Sequence, residues 1–256
     1  MKNKIRNELA VCGFATVKKL EKNHFEKISR LYFTAEVAPL FGGLCKKLAK
    51  NKGIYNQVEA KDLEKLCGSV HHQGVVAMIN APEIQQIDTE IIEDWIANNK
   101  NAVLLDKIGN ANNFGAIVRS AAFFGIENII IPLDESQSSI TTSSYRVAEG
   151  GMEYVNIYSV RSISRLLEAL KDKMTRVATS LNATKNVSDI KSMNSDKPIL
   201  VILGNEENGV SETTLQNCDE KIIIPFKSKN SNQTESNVDS LNVAQAASII
   251  FYELTK

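Results

Sequence analysis

Apolar positions recur along this chain in two rhythms, and the change between them falls near residue 82. In the first stretch, short apolar runs and polar breaks alternate quickly. The pattern predicts helices over 11–22, 36–51 and 60–67, strands over 28–33 and 55–58, and a turn feeding a strand over 71–79. Alternating β and α elements of this size predict a compact α/β sandwich. From 81 to 100 come Pro82, an acidic stretch and Ile91, Ile92, Trp95 and Ile96, spaced as on one helix face. That helix is read as a junction, so residues 1–82 form one domain, 83–100 a linker and 101–256 a second domain.

The second rhythm is slower and more regular. It predicts strands over 102–106, 128–132, 176–180, 199–203 and 221–225, and helices over 114–124, 162–172, 211–217 and 241–254. Unbroken apolar runs at 129–131 and 199–203 imply strands covered on both faces, the pattern of a parallel sheet. Ligands of such sheets gather beyond the carboxyl ends of the strands, which makes those loops the place to look for chemistry. No internal repeat or low-complexity tract interrupts the pattern, although residues 227–240 are rich in Ser, Asn and Lys.

The chain of 256 residues is 43% hydrophobic and 23% charged, ordinary for a folded domain, and its formal net charge is zero. The distribution changes the picture. Residues 1–75 carry 14 Lys and Arg against 7 Asp and Glu, and the remainder carries 16 against 23. A basic first third suits a segment that meets a polyanion, although a lysine-rich solvated surface reads the same. Cys12, Cys45, Cys67 and Cys218 form no Cys-x-x-Cys pair, and His24, His71 and His72 are the only histidines, so no metal site is expected. Reduced thiols in a cytoplasmic protein are the plain reading. The charged start lacks the apolar core of a signal peptide, and no apolar run approaches a membrane span.

Three loops carry candidate chemistry. The first, 106–125, leaves a strand, passes through Gly109, Asn110, Asn112 and Asn113, and enters a helix bearing Arg119. Asparagine tolerates tight turns and satisfies helix amides, and Arg119 lies about one turn after Gly115, where a phosphate or sugar could approach. A capped helix whose arginine pairs with an acidic neighbour has the same sequence. The second loop, 203–210, follows a buried strand and brackets Glu206 between Gly204 and Gly209. The third, 240–250, opens with Ser240 as a natural helix cap and Asn242 in the first turn, and then runs through Ala244, Ala246 and Ala247. Each alone is also an ordinary strand–helix turn. The chain has no Gly-x-Gly-x-x-Gly after a strand and no Walker loop, and its histidines lie away from these loops, which disfavours a dehydrogenase, an ATPase and a Ser/His/Asp hydrolase.

Taken in order, the three loops resemble the motifs of the SpoU-type (TrmH-like) branch of the SPOUT RNA methyltransferases. Asn113, Gly115 and Arg119 match the first motif, Leu203 to Glu206 with Gly209 the second, and Ser240 to Val243 the third. Residues 148–155 resemble the segment that precedes a central strand in most members. Gly13 and residues 71–75 resemble, more loosely, the family's substrate-binding domain, which is related to a ribosomal-protein RNA-binding fold.

The resemblance implies an α/β domain whose carboxy-terminal stretch forms a deep trefoil knot, homodimers packed through it, and S-adenosylmethionine as cofactor with no metal. It implies cofactor contacts at Ser180, Leu203, Gly204, Gly209, Ile224, Pro225, Leu241 and Asn242, and catalytic or substrate-placing roles for Arg119, Glu206, Ser240, Asn242 and Asn113. One departure stands out. Where most members have a short glycine-containing link before the third motif, this chain has the longer, glycine-free stretch 226–239, with Lys227 and Lys229 available to RNA. The implied reaction is methyl transfer to a ribose 2′-hydroxyl, with ribosomal RNA the first expectation and transfer RNA the second. An inert RNA-binding relative acting in ribosome assembly, and a methyltransferase of small molecules or proteins, remain open on the sequence.

Overall fold

A computed structural model of the chain describes residues 2–3, 7–193, 196–205, 207–226 and 240–256. It divides into two compact units. Unit 1 holds residues 1–83 and 139–154, and unit 2 holds 84–138 and 155–256.

Unit 1 begins with β1 (Lys2–Asn3), β2 (Glu8–Cys12), α1 (Phe14–Asn23) and β3 (Ile28–Phe33). It continues with α2 (Gly42–Lys50), β4 (Ile54–Gln57), α3 (Ala60–Cys67) and β5 (Val75–Asn80). The strands form one sheet in the order β1-β2-β5-β3-β4, antiparallel except for the β3–β4 pair. Ala10 and Cys12 on β2 pack with Leu63 and Cys67 of α3 and with Val76 and Met78 of β5. The helix expected over 11–22 starts instead at Phe14, because Val11 and Cys12 belong to β2, hidden under neighbours on both sides. Gly13, at φ +100, makes the corner between the two elements, a backbone state that favours glycine. Polar Glu8 disguised the strand; it is buried, accepting hydrogen bonds from the Ser29 hydroxyl (2.9 Å) and the Arg30 guanidinium.

The chain enters unit 2 through β6 (Gln85–Gln86), α4 (Thr89–Ala97), β7 (Ala102–Asp106), α5 (Ala111–Phe123) and β8 (Asn128–Pro132). It leaves for unit 1 as α6 (Thr142–Ala148) and a 3-10 turn, Gly151–Tyr154. It returns through β9 (Asn156–Val160), α7 (Ile163–Ala169), β10 (Thr175–Thr179), β11 (Lys185–Asn186), β12 (Ile199–Gly204), α8 (Glu212–Gln216), β13 (Glu220–Ile223) and α9 (Val243–Thr255). The strands form an eight-stranded sheet in the order β11-β13-β10-β12-β7-β8-β9-β6, with every neighbouring pair parallel. Leu104, Ile130, Ala178, Leu200 and Ile202 on one face of its strands pack with Trp95, Leu166 and Leu167 from helices. Val103, Ile129, Val177 and Val201 on the other face are buried too, the two-sided burial that the unbroken apolar runs imply.

Two boundaries and the place of one strand differ from the sequence reading. The stretch read as a linker is integral to unit 2: Ile92 and Trp95 of α4 enter its core, and Asp88 caps the helix by accepting from Ile91 N (2.9 Å). Residues 139–154, read as part of a continuous second domain, fold with unit 1, where the buried Glu153 carboxylate meets Lys27 Nζ at 3.1 Å. The strand after them, β9, lies second from the sheet edge rather than at the centre.

Candidate active site

The carboxyl rim of the unit 2 sheet is where the loops meet. β7 ends in Asp106, buried, whose Oδ2 accepts from Ser211 N (3.1 Å) just ahead of α8. Lys107 then takes φ +63 and turns the chain. Its carbonyl accepts from Asn205 Nδ2 (2.9 Å), which ties the first loop to the second. Asn110 caps α5, its Oδ1 accepting from Asn112 N (2.8 Å) and Asn113 N (3.3 Å). Phe114, Gly115, Ile117 and Val118 bury one face of α5, and Arg119 stands on its exposed face.

The second loop closes on itself. Gly204 pairs in register with Asp106, and Asn205 and Gly209 exchange backbone hydrogen bonds (3.0 and 2.9 Å). A Cβ on Gly204 would lie 2.1 Å from both Gly209 C and Val210 N, so only glycine fits there. Asn205 Oδ1 accepts from Glu207 N (2.9 Å) and Asn208 N (3.2 Å) and holds the loop from inside. Gly209, at φ +67, completes the turn, and Leu203 is buried in β12. Glu206 lies outside the described residues, as do 227–239 with Lys227 and Lys229.

The third loop is anchored differently from the sequence reading. Asn242, not Ser240, caps α9: its Oδ1 accepts from Ala244 N (2.9 Å). With its oxygen so engaged, its Nδ2 donates to Asn113 Oδ1 (3.0 Å), joining the third loop to the first. Ser240 is exposed two residues earlier, and it fails as a cap because the helical turn starts only after Asn242. α9 then packs along α5, with the Ser120 and Ser248 hydroxyls 2.8 Å apart.

The remaining cofactor candidates lie on the same rim. Ser180 follows β10, and its N–H donates to Ile222 O of β13 (3.0 Å). The strand expected to reach 225 stops at Ile223, so Ile224 and Pro225 are loop residues past its end. Leu181, Phe226 and Leu241, which flank these strand ends and α9, are 63%, 44% and 46% exposed. Apolar side chains left in solvent beside strand-end backbone groups suit the flat body and polar edge of an adenosine, so the residues present fit S-adenosylmethionine.

Sequence reasoning missed Asn205, which binds two loops, and offered Asn110 only among the asparagines of the first loop, without singling it out as the cap of α5. Asn110 had a signal, since it stands one residue before the helix with an apolar face following. Asn205 had none, because its partner Lys107 is remote in sequence.

Comparison with known proteins agrees with this geometry. Residues 100–252 match the SpoU rRNA Methylase family, and residues 10–85 match the family described as RNA 2'-O ribose methyltransferase substrate binding. The chain is 31% identical over 210 residues to the 23S rRNA (guanosine-2'-O-)-methyltransferase RlmB of Acinetobacter baylyi, covering 81% of this chain and 80% of that protein. It is 29% identical to the putative TrmH family tRNA/rRNA methyltransferase YacO of Bacillus subtilis, with the same coverages, 81% and 80%. Among solved structures, the SpoU methyltransferase AviRb of Streptomyces viridochromogenes, in complex with the cofactor AdoMet, shares the fold. Its TM-score is 0.73 at 22% identity, covering 97% of this chain and 89% of that one. This chain belongs to the SpoU rRNA methylase family of RNA 2′-O-methyltransferases.

Proposed function

We propose that this chain methylates a ribose 2′-hydroxyl in ribosomal RNA, at the rim where the loops after β7 and β12 meet the start of α9. The observation that carries the reading is the pair of side-chain bonds, Asn205 to Lys107 O and Asn242 to Asn113, which bring the family's three motifs onto one site. Ribosomal rather than transfer RNA is favoured by the name and coverage of the RlmB relative.

S-adenosylmethionine supplies the activated methyl group, so this chain's residues have only to position the hydroxyl and manage its charge. A guanidinium keeps its proton across the physiological range, which suits Arg119 to stabilising a developing alkoxide or gripping the neighbouring phosphate rather than acting as a base. The Asn113–Asn242 pair holds the start of α5 against the start of α9. Ser240, exposed beside it, is placed to orient the hydroxyl, and Glu206 is assigned to holding Arg119 on the strength of the resemblance alone. Leu203, Gly204, Gly209, Ser180, Ile224, Pro225 and Leu241 line the strand ends that would hold the cofactor.

Unit 1 is the RNA-binding part of this reading. Its support is the charge of residues 1–75, the exposed Lys46, Lys47 and Lys50 on α2, with Lys47 Nζ 5.7 Å from the centre of the Phe25 ring, and the wholly exposed β4 with Tyr55. Cations beside an aromatic face suit single-stranded RNA. A ribosomal-protein-like origin for this unit rests on the resemblance. A homodimer through α5 and α9 is supported by their exposed Phe123, Ile249 and Tyr252, an apolar face that a monomer would leave wet. The knot is supported by the placement of β12 between β7 and β10, both earlier in the chain, and by the return of α9 onto α5. No helix among the described residues is long and apolar enough to cross a membrane, and the cytoplasm is the proposed location.

Incubation with methyl-labelled S-adenosylmethionine and unmodified ribosomal or transfer RNA tests the proposal. Label on ribosomal RNA is expected. Label on transfer RNA alone would move the substrate, and absence of binding heat with S-adenosylmethionine would favour the inert relative.

A further inference from the structure

The first loop is gripped from a side that none of the family motifs supplies. The chain between β8 and α6 forms a tight polar turn at 134–138. Asp134 Oδ1 accepts from Ser136 N (2.8 Å) and from the Ser136 hydroxyl (2.5 Å), and Gln137 N donates to Asp134 O (3.0 Å). These bonds hold the Asp134 carboxyl below the usual carboxylate range, with Lys107 Nζ 3.7 Å away adding to the effect. The turn therefore has its own shape before it meets anything else.

What it presents is Gln137, 8% exposed. Gln137 Oε1 accepts from Ile108 N (2.9 Å), and Gln137 Nε2 donates to Ile108 O (3.1 Å) and to Ser138 O (3.0 Å). Ser138 N donates to the same Ile108 carbonyl (2.8 Å). One side-chain amide thus satisfies both the N–H and the C=O of a single buried residue, as a strand partner would, and fixes its φ and ψ. The next residue, Gly109, passes so close that a Cβ there would lie 3.1 Å from Ser136 O. The residue after that, Asn110, caps α5. The orientation of the first turn of α5, and of Asn113 on it, follows from the Ile108 peptide.

We propose that Gln137 is a positioning residue for methyl transfer, clamping the Ile108 peptide so that α5 presents Asn113 and Arg119 to the reacting ribose. Asn205 holds Lys107 O from the β12 side, and Gln137 holds Ile108 from the β8 side, so the loop has two independent anchors. The sequence offers no local sign of this, since the two residues are 29 positions apart. The chain passes into unit 1 immediately afterwards, at Ser139, so the clamp also marks where the catalytic unit hands over to the proposed RNA-binding one.

The inference rests on the methyltransferase reading given above, and the test separates the two. Gln137→Met keeps the shape and loses every side-chain hydrogen bond. With S-adenosylmethionine and unmodified ribosomal RNA, its kcat is expected to fall ~10- to 100-fold, as misplacement of reacting groups does. Both KM values are expected to stay within about twofold, because neither ligand loses a contact. Hydrogen–deuterium exchange is expected to speed up over residues 107–111 and to stay unchanged in β7 and β8. Gln137→Glu keeps the acceptor facing Ile108 N and loses the donor; it is expected to show the same split and replaces the methionine variant should that not fold. Wild-type kcat in a folded variant would overturn the proposal, and so would faster exchange throughout β7 and β8, which would make Gln137 merely structural. Arg119→Ala is assayed alongside. If wild type is active, Arg119→Ala is inactive and Gln137→Met turns over normally, this inference alone fails; if wild type itself transfers no methyl group, the underlying reading fails and takes the clamp with it.

Discussion

At the amino rim of the eight-stranded sheet, polar side chains close upon structural partners. Arg176, buried at the start of β10, donates through Nε to Asp219 Oδ2 (2.9 Å), through Nη2 to Asp219 Oδ1 (2.5 Å) and through Nη1 to Leu167 O (2.9 Å). Asn101 Oδ1 accepts from Ile199 N (2.8 Å), locking β7 to β12 at their beginnings. At the carboxyl rim the polar side chains do something else. Asn205 bonds the backbone of its own loop, and Asn110 and Asn242 cap the helices that leave the rim, while Arg119 and the apolar Leu181, Phe226 and Leu241 stay exposed. One sheet therefore has a rim built for stability and a rim built for presentation. In a parallel sheet the strand ends themselves create this asymmetry, because every loop that can converge on a ligand leaves from the same side.

Substitutions at the two rims therefore separate turnover from stability. The largest expected effect is at Arg119. Its side chain is exposed, so Arg119→Ala should fold normally and lose ~10²- to 10³-fold in kcat, the usual cost of removing a transition-state charge donor. Melting temperature and steady-state kinetics together check this. Next is Gly204→Ala. Its Cβ would intrude on Gly209 and Val210, and shifting that loop should weaken S-adenosylmethionine binding ~10- to 100-fold by calorimetry, as overpacking of about 1–3 kcal/mol does.

Asn242→Ala is smaller and mixed. It removes the cap of α9 together with the link to Asn113, so about 1 kcal/mol of stability should go with a severalfold drop in kcat. Equal turnover to wild type would mean that the third loop is held by other contacts.

The smallest effect sits at the opposite rim. Burial pushes the Asp219 carboxyl up, and the hydrogen bonds and charge of Arg176 more than offset this, leaving it lowered overall. A carboxyl lowered in the folded state stabilises fully above the ordinary carboxylate range, and that contribution is lost as pH falls through the lowered value. Asp219→Asn should thus cost about 2–4 °C in melting temperature near neutral pH, less in acid, and nothing in kcat. A loss of kcat there would break the distinction between the rims.

How much of this was legible in the sequence depended on the range of the interactions involved. The strand over 128–132 and the helix over 60–67 appear with the bounds read from periodicity, because local burial alone decides them. β2 was hidden, since buried Glu8 is polar to a pattern reader and becomes intelligible only beside Arg30. The motif residues Asn113, Gly204 and Asn242 were recognisable in order, yet the bonds that assemble them join residues about a hundred positions apart. Ser240 looked like the cap because a hydroxyl before a helix is a good local signal; Asn242 took the position because one amide can cap α9 and reach Asn113 at once. The excursion of residues 139–154 into unit 1 follows from tertiary partners such as Lys27 for Glu153, which no spacing rule reveals.

The central claim is that the convergent rim passes a methyl group to a ribose oxygen of ribosomal RNA, and one measurement addresses it directly. Ribosomal RNA lacking the modification is labelled by the purified protein with methyl-tritiated S-adenosylmethionine and then hydrolysed in alkali. Label recovered in an alkali-resistant dinucleotide from one site is expected, because a methylated 2′-oxygen can no longer attack its phosphate. Label released in mononucleotides, which would place the methyl group on a base, would contradict the claim.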